Sequence, residues 1–538
     1  MFNKEEKNFF WFLFLSATLV YIIGLFTDVM DIDAAQYASL TKQMMDSGNY
    51  LQFFYCGQPY LDKPPLLFWI VSISYKILGI SNFSYKLPSF LFTLLGTYST
   101  YRLGKLLYDQ RIGVIAALVL YTSQGFFMFN SDVRTDAALA AAVIFATWQL
   151  MEYVSGRKLI FLLGGTVGVA LAMLAKGPIG FAIPVIAVFS DLILKKRWKE
   201  IFNWHWLFAI VLLFAILSPM LYGLHEQYGN YGLKFYFWIQ SFGRITGASE
   251  WNNGNDYTFF LHTFLWSFLP WSLIATFAVA NFVYRFFKKS STYPIKEYAC
   301  IMGSVIPLFA LSFSHYKLPH YIFPTFPLFA ILSAEIITRY SSSGKTKALK
   351  GVQYFVLTIS LITTVVFFFI FPASSIAIAV LLVAFALLAF LFFRYRSFRK
   401  DLIYFSAGGS IFVNLVMNIH FYPELLKYQS SHAIANYIRS QYIDPDKILS
   451  LHEGTPSFDF YLGHVCKGID YDALKSGKYY DGYWLYTNRN GLKELREKGI
   501  QPKQIISFPH FAVSLLTPQF LNPSTRHLAL EEKLLVEL

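Results

Sequence analysis

The chain has 538 residues, 55% of them hydrophobic, 19% aromatic and 14% charged, with a formal net charge of +13 and a mean hydropathy of +0.44. So apolar a chain cannot cover its own surface in water, which excludes a soluble globular protein and leaves a polytopic α-helical membrane protein. A pI near 9.3 would also suit a nucleic-acid partner, but the basic residues are split among short loops and form no single aromatic-interleaved face.

The N-terminal run "FFWFLFLSATLVYIIGLF" is followed by no small-residue cleavage site, so a retained first helix is expected. Apolar stretches near 9–27, 85–104, 112–130, 136–154, 159–174, 178–194, 204–224, 257–284, 298–313, 319–338, 352–371, 375–393 and 402–420 predict roughly thirteen spans. Basic loop residues fall on one side of that path: Lys4 and Lys7, Lys105 and Arg111, Arg157 and Lys158, then the clusters Lys195–Lys199, Lys288–Lys289, Lys345–Lys350 and Arg394–Lys400. The positive-inside rule makes that side, and the N-terminus, cytoplasmic.

The first outer loop, 28–84, is too long for a passive connector. It opens on Asp31 and Asp33, and Tyr37, Leu40, Thr41, Met44 and Met45 then recur at helical spacing, predicting an amphipathic helix along the membrane interface. "YLDKPP" follows, where Pro64 and Pro65 stiffen the backbone after Tyr60, Asp62 and Lys63, before the short apolar helix "LLFWIVSISYKIL". Later loops on the same side carry charges as singletons: "NSDVRTDAAL", "AKGPIG", "FGRITG" and "SHYKLPHYIFP". A charge at the membrane edge is costly unless it pairs, snorkels or lines a wet cavity. Taken singly, Asp33 and Asp136 read as helix caps, Lys63 and Lys176 as snorkelling side chains, and Arg244 as a lipid contact. Several unrelated loops delivering isolated charges to one face favour a shared site.

Residues 425–538 turn to a mixed polar sequence. "SHAIANYIRSQY" and "GLKELREKG" have helical spacing, while "KILSLHE", "GYWLYT" and "QIISFPHFAVSLL" read as strands, predicting a small extracytoplasmic α/β domain after a membrane domain at 1–424. Cys56 and Cys466 both fall outside the membrane. A disulfide between them is open, with free thiols favoured.

An Asp-led helix with Tyr37 and Ala38 is followed by Tyr60, Lys63, Pro64, Pro65, Leu66 and Trp69, then Arg134 and Asp136, Lys176–Gly177–Pro178, and Arg244. With Pro270–Trp271–Ser272 and Lys317, Leu318, Pro319, Tyr321 and Pro324, this order resembles the lipid-linked-sugar transferases related to aminoarabinose transferase. That family is similar to the protein O-mannosyltransferases and belongs with the integral-membrane C-type glycosyltransferases. The resemblance covers about residues 1–425, and its most specific piece is Tyr-x-x-Lys-Pro-Pro after the Asp-led helix. It implies transfer of a sugar from a polyprenyl phosphate, undecaprenyl phosphate in a bacterial inner membrane, to lipid A or a related glycolipid, or alternatively to a protein hydroxyl. It implies Asp33 as the catalytic carboxylate, with Asp136 orienting the acceptor. Lys63, Arg244, Lys176, Tyr60 and Tyr321 would hold the donor phosphate, and Tyr37, Gln36, Arg134, Lys317 and His320 would contact substrate. Ala34 and Gln36 stand where aminoarabinose transferases carry an acid and a base, so sugar and acceptor stay open. No cofactor is required by these motifs. Asp31 and Asp62 are weak candidates for an optional divalent ion. A lipid flippase would instead place charges near span centres and show paired broken repeats, and a non-catalytic assembly factor would tolerate loss of Asp33.

Overall fold

A computed structural model describes residues 4–247, 256–288, 296–340, 346–394, 398–454, 456–471, 474 and 480–538. Lys289, Lys345 and Arg396 of the predicted basic clusters lie outside these. Among the described residues, seven helices are long and apolar enough to cross a membrane: Lys4–Gly24, Thr135–Gly156, Leu159–Lys176, Trp198–Tyr228, Pro319–Tyr340, Leu349–Ile370 and Leu402–Leu426. An eighth forms if Gln110–Tyr121 and Gln124–Ser131, bent by 48° at their break, count as one. Shorter apolar helices, including Ile179–Leu194, Ser272–Phe287 and Tyr298–Ser312, pack among them. The single span expected at 257–284 is divided into Phe259–Ser267 and Ser272–Phe287. Pro270 lies in the break, where it has no N–H to offer a continuing helix.

The first loop forms the predicted helix, Asp33–Ser47, and the short apolar helix Leu66–Leu78. The first of these is packed into the protein. Its Ala34, Ala35, Tyr37, Leu40 and Met44 are buried with Phe68 and Tyr85 on one side and with Phe460, from the far end of the chain, on the other. Lys86 closes the preceding turn: its buried ammonium donates to Thr27 O at 2.8 Å, Thr27 Oγ1 at 2.7 Å and Gly24 O at 3.3 Å, at the C-terminal end of the first helix. Gly223 lets helix His205–Tyr228 lie directly on the Leu51 backbone, where any Cβ would collide with the carbonyl.

Beyond residue 430 stands a five-stranded mixed sheet in the order Lys467–Gly468, Ile448–Ser450, Trp484–Asn488, Glu531–Glu537, Gln504–His510. The first two pairings are parallel and the last two antiparallel. Helices Ser431–Ser440, Pro456–Leu462 and Arg489–Glu497 accompany it. Cys56 and Cys466 are free thiols that meet the same carboxylate. Cys56 Sγ is 3.8 Å from Asp459 Oδ2, and the Cys466 N–H donates to Asp459 Oδ1 at 3.1 Å.

Candidate functional site

Local backbone chemistry explains how the singleton charges come together. Helix Leu159–Lys176 ends at Gly177, whose φ of 86° an L side chain resists, and Pro178 then starts helix Ile179–Leu194. The Lys-Gly-Pro motif is therefore a helix break that leaves Lys176 at a helix C-terminus, where a cation is favoured. Arg134 is extended, at φ −128° and ψ 166°, and immediately precedes helix Thr135–Gly156, which carries Asp136 in its first turn. Arg244 sits on the short helix Phe242–Thr246, tied down where its carbonyl accepts from Ser314 Oγ at 3.0 Å and from the His315 N–H at 2.9 Å. Pro64 restricts Lys63 to extended geometry, and Pro65 leads into helix Leu66–Leu78.

These residues form two linked groups. In the first, Lys176 Nζ donates to Asp136 Oδ1 at 2.5 Å, with His320 Nε2 3.9 Å from Asp136 Oδ2. The same ammonium lies 4.5 Å from the Tyr321 ring centroid, and the Tyr321 hydroxyl accepts from Arg244 Nη1 at 2.6 Å. Arg244 Nη2 is 3.8 Å from Asp62 Oδ1, and Asp62 Oδ2 accepts from Lys63 Nζ at 2.5 Å. The Gln240 side-chain amide donates to the Asp62 carbonyl. In the second, Arg134 Nη1 donates to Asp33 Oδ2 at 2.6 Å and Arg134 Nε to Asp132 Oδ2 at 3.0 Å. Neither Asp33 nor Asp136 caps a helix through its side chain, so the capping readings give way to ion pairs.

Lys63, Lys176 and Arg244 line a cavity of about 370 Å³ together with Gln240 and Tyr321. Apart from Ser241 and Ser314 its remaining wall is apolar, chiefly Ile179, Ile183 and Ile186 of one helix and Pro307 and Leu311 of another. Tyr60 stands behind Lys63, in a water-sized pocket, with its buried hydroxyl unpartnered among the described residues. Burial pushes its phenol well above the ordinary range, so it is a hydrogen-bond donor at neutral pH. Tyr37 is buried beneath the site, and Gln36 is half-buried one turn before Leu40. Lys317 stands apart from the cavity, 5.7 Å from the Tyr257 ring. Asp31 and Asp62 are held by different partners, Ser457 and Lys63, and among the described residues no group of three or more His, Cys, Asp or Glu is placed to hold a metal ion. Sequence reading passed over Asp132, although it lies two residues before Arg134, and over Gln240 and the isoleucine wall, which read as ordinary loop and span.

Comparisons with known proteins fit this geometry. Residues 62–222 match the family model for dolichyl-phosphate-mannose-protein mannosyltransferases. The undecaprenyl phosphate-α-4-amino-4-deoxy-L-arabinose arabinosyl transferases of Pseudomonas savastanoi pv. phaseolicola and Shewanella sediminis are 25% and 26% identical over 62% and 64% of this chain. The chain spans 62% of the length of each. The crystal structure of ArnT from Cupriavidus metallidurans bound to undecaprenyl phosphate superposes with a TM-score of 0.76 at 16% identity, over 98% of this chain and 97% of that one. The archaeal oligosaccharyltransferase AglB from Archaeoglobus fulgidus reaches a TM-score of 0.50 at 12% identity, over 89% of this chain and 69% of its own. Motif order, sequence matches and fold point the same way: the chain is similar in sequence to the aminoarabinose transferases and shares the fold of ArnT.

Proposed function

We propose that this protein transfers a sugar from a polyprenyl phosphate, undecaprenyl phosphate in a bacterial envelope, to lipid A or a related glycolipid at the outer face of the inner membrane. The reading includes roughly thirteen spans, a cytoplasmic N-terminus, a transferase domain at 1–424 and an extracytoplasmic domain at 425–538. The observation that carries it is a cavity that joins an isoleucine-rich wall to three cations, Lys63, Lys176 and Arg244. An isoprenoid chain suits the wall and its phosphate suits the cations, which pair with phosphate through charge-assisted hydrogen bonds.

In that pose the acceptor oxygen attacks the anomeric carbon as the bond to the phosphate oxygen breaks. The leaving phosphate keeps the electron pair, and the three cations offset the charge it gains. Asp33, on the neighbouring group and 41% exposed at its side chain, takes the proton of a hydroxyl acceptor or stabilises the positive charge developing on the sugar ring. If the acceptor is an ionised phosphate, no proton has to be removed and Asp33 acts by its charge alone. Asp136 orients the acceptor, and Arg134 holds Asp33 in place. Inversion at the anomeric carbon follows from a single displacement. No step requires a metal, and turnover unchanged in a chelator is expected.

The match of residues 62–222 to the protein mannosyltransferase model supports a second reading within the same chemistry, with a protein hydroxyl as acceptor. Mass spectrometry of lipid A and of membrane glycoproteins from a deletion strain separates the two. Loss of a sugar mass from lipid A is expected. Intact lipid A with lost protein glycans would transfer the conclusion to the second reading, and no change in either would overturn both.

A further inference from the structure

The turn that leads into Asp33 takes its hydrogen-bond partners from the far end of the chain. The Gln429 side chain accepts from the Asp31 N–H at 2.8 Å, across 398 residues, and donates to Val29 O at 2.8 Å, pairing with the turn much as a strand would. The Tyr461 hydroxyl accepts from the Val29 N–H at 2.7 Å and donates to Asn82 Oδ1 at 3.1 Å. Asp28 is held between Asn82 Nδ2 at 2.9 Å and His432 Nδ1 at 2.8 Å. The buried Asp31 carboxylate accepts from the Ser457 N–H at 3.1 Å and from the Ser457 hydroxyl. Two residues later Asp33 begins its helix with no side-chain cap of its own.

We propose that Gln429, Ser457 and Tyr461 are positioning residues for Asp33: the C-terminal unit grips residues 28–31 and thereby sets where the Asp33 carboxylate faces. The proposal rests on the reading above that Asp33 acts in transfer. Buried backbone groups require partners. Val29 and Asp31 obtain theirs from side chains about 400 residues away. Without Gln429, one buried N–H and one carbonyl lose their partners together, and the turn is free to shift. The three cations of the cavity sit outside residues 28–31. A misplacement of about 1 Å at a reacting group costs on the order of 100-fold in rate.

The test uses the full chain in detergent or nanodiscs, with Gln429→Ala, Ser457→Ala and the milder Tyr461→Phe, which removes only a hydroxyl. Expected is a fall in kcat of about 10- to 100-fold for the first two and a smaller fall for the third. The KM for the sugar-bearing carrier and the Kd for undecaprenyl phosphate should stay within about twofold. Ser457→Thr, which keeps the hydroxyl and the N–H, should retain most of the rate. Wild-type kcat in all three variants would overturn the proposal, as would a loss of undecaprenyl phosphate binding in parallel with kcat. If Asp33→Asn turns over like wild type, the transfer reading itself fails. If Asp33→Asn is inactive while the three variants match wild type, only the positioning role fails.

Discussion

Asp33 and Arg134, 101 residues apart in the chain, meet at 2.6 Å. Arg134 also bonds Asp132, so one guanidinium serves two carboxylates and Asp33 is oriented without being neutralised. Asp33→Asn keeps the shape of the side chain and removes its charge. If the proposed function holds, transfer should fall by about 100- to 10,000-fold, while undecaprenyl phosphate binding, assigned to cations on other elements, stays near wild type. Turnover and equilibrium binding measured on one preparation check this, and an active Asp33→Asn would remove the residue from the chemistry.

What was legible in the sequence was local. The Asp-led helix and the Lys-Gly-Pro break announce themselves through periodicity, a glycine and a proline, and the lone charges stood out against apolar loops. What was hidden depends on distant partners. Asp31 reads in the sequence as a weak metal candidate, and nothing local shows that its carboxylate accepts from Ser457, 426 residues away. The strand Glu531–Glu537 sits between Trp484–Asn488 and Gln504–His510, although strand order carries no local signature. The isoleucines of the cavity wall cannot be told by type from isoleucines that face lipid. The packing of Phe460 against helix Asp33–Ser47 is hidden for the same reason, since the two lie more than 400 residues apart.

Two substitutions at the phosphate seat should act in opposite directions. On the proposed reading, Lys63→Ala removes a charge-assisted hydrogen bond to phosphate and should weaken undecaprenyl phosphate binding by about 10- to 100-fold. Asp62 competes for the same cations, 2.5 Å from Lys63 and 3.8 Å from Arg244, with its side chain 38% exposed. Asp62→Asn should therefore tighten binding, by roughly two- to fivefold given that exposure. Titration with undecaprenyl phosphate reads both, and weaker binding in Asp62→Asn would show that the carboxylate supports Lys63 rather than competing with phosphate.

The Lys176–Asp136 pair is buried, with side chains 13% and 1% exposed. Breaking such a pair leaves an uncompensated charge, at a cost of about 3–5 kcal/mol. Lys176→Met alone should lower the Tm of the detergent-solubilised protein more than Lys176→Met combined with Asp136→Asn, since the second change removes the stranded charge. Thermal unfolding of both single variants and the double variant decides it. A loss in the double variant equal to the sum of the losses in Lys176→Met and Asp136→Asn would mean that the pair is not coupled.

The joint between the first loop and the C-terminal unit should loosen as pH rises. Burial pushes the Asp31 carboxyl up to about 6, against the opposing effects of the Ser457 hydrogen bonds and the Lys533 charge. Burial, reinforced by Asp31, pushes Asp459 up to about 7. Other groups facing this joint include the Cys56 thiol, raised to about 11 chiefly by burial, and the Cys466 thiol and the Tyr55 and Tyr461 phenols, all raised chiefly by burial and all neutral across this range, together with the Asp28 carboxylate, which, against burial, its His432 partner holds below the ordinary value. Both carboxyls hold protons in the folded state that ordinary carboxyls release near pH 4. A raised acid contributes its full stability below its ordinary value near 4 and loses it as pH climbs from there to its folded value, about 6 for Asp31 and about 7 for Asp459. His510 opposes this: burial and then Lys533 lower it to about 4, so it is bound neutral and its contribution shrinks as pH falls below its ordinary value. Comparing wild type with Asp459→Asn cancels that term. Hydrogen exchange at the amides of residues 29–36, corrected for intrinsic rates, should show less protection at pH 8 than at pH 6 in wild type, with the difference reduced in Asp459→Asn. Protection that rises with pH, or an identical slope in the variant, would mean that the two carboxyls do not set the strength of this joint.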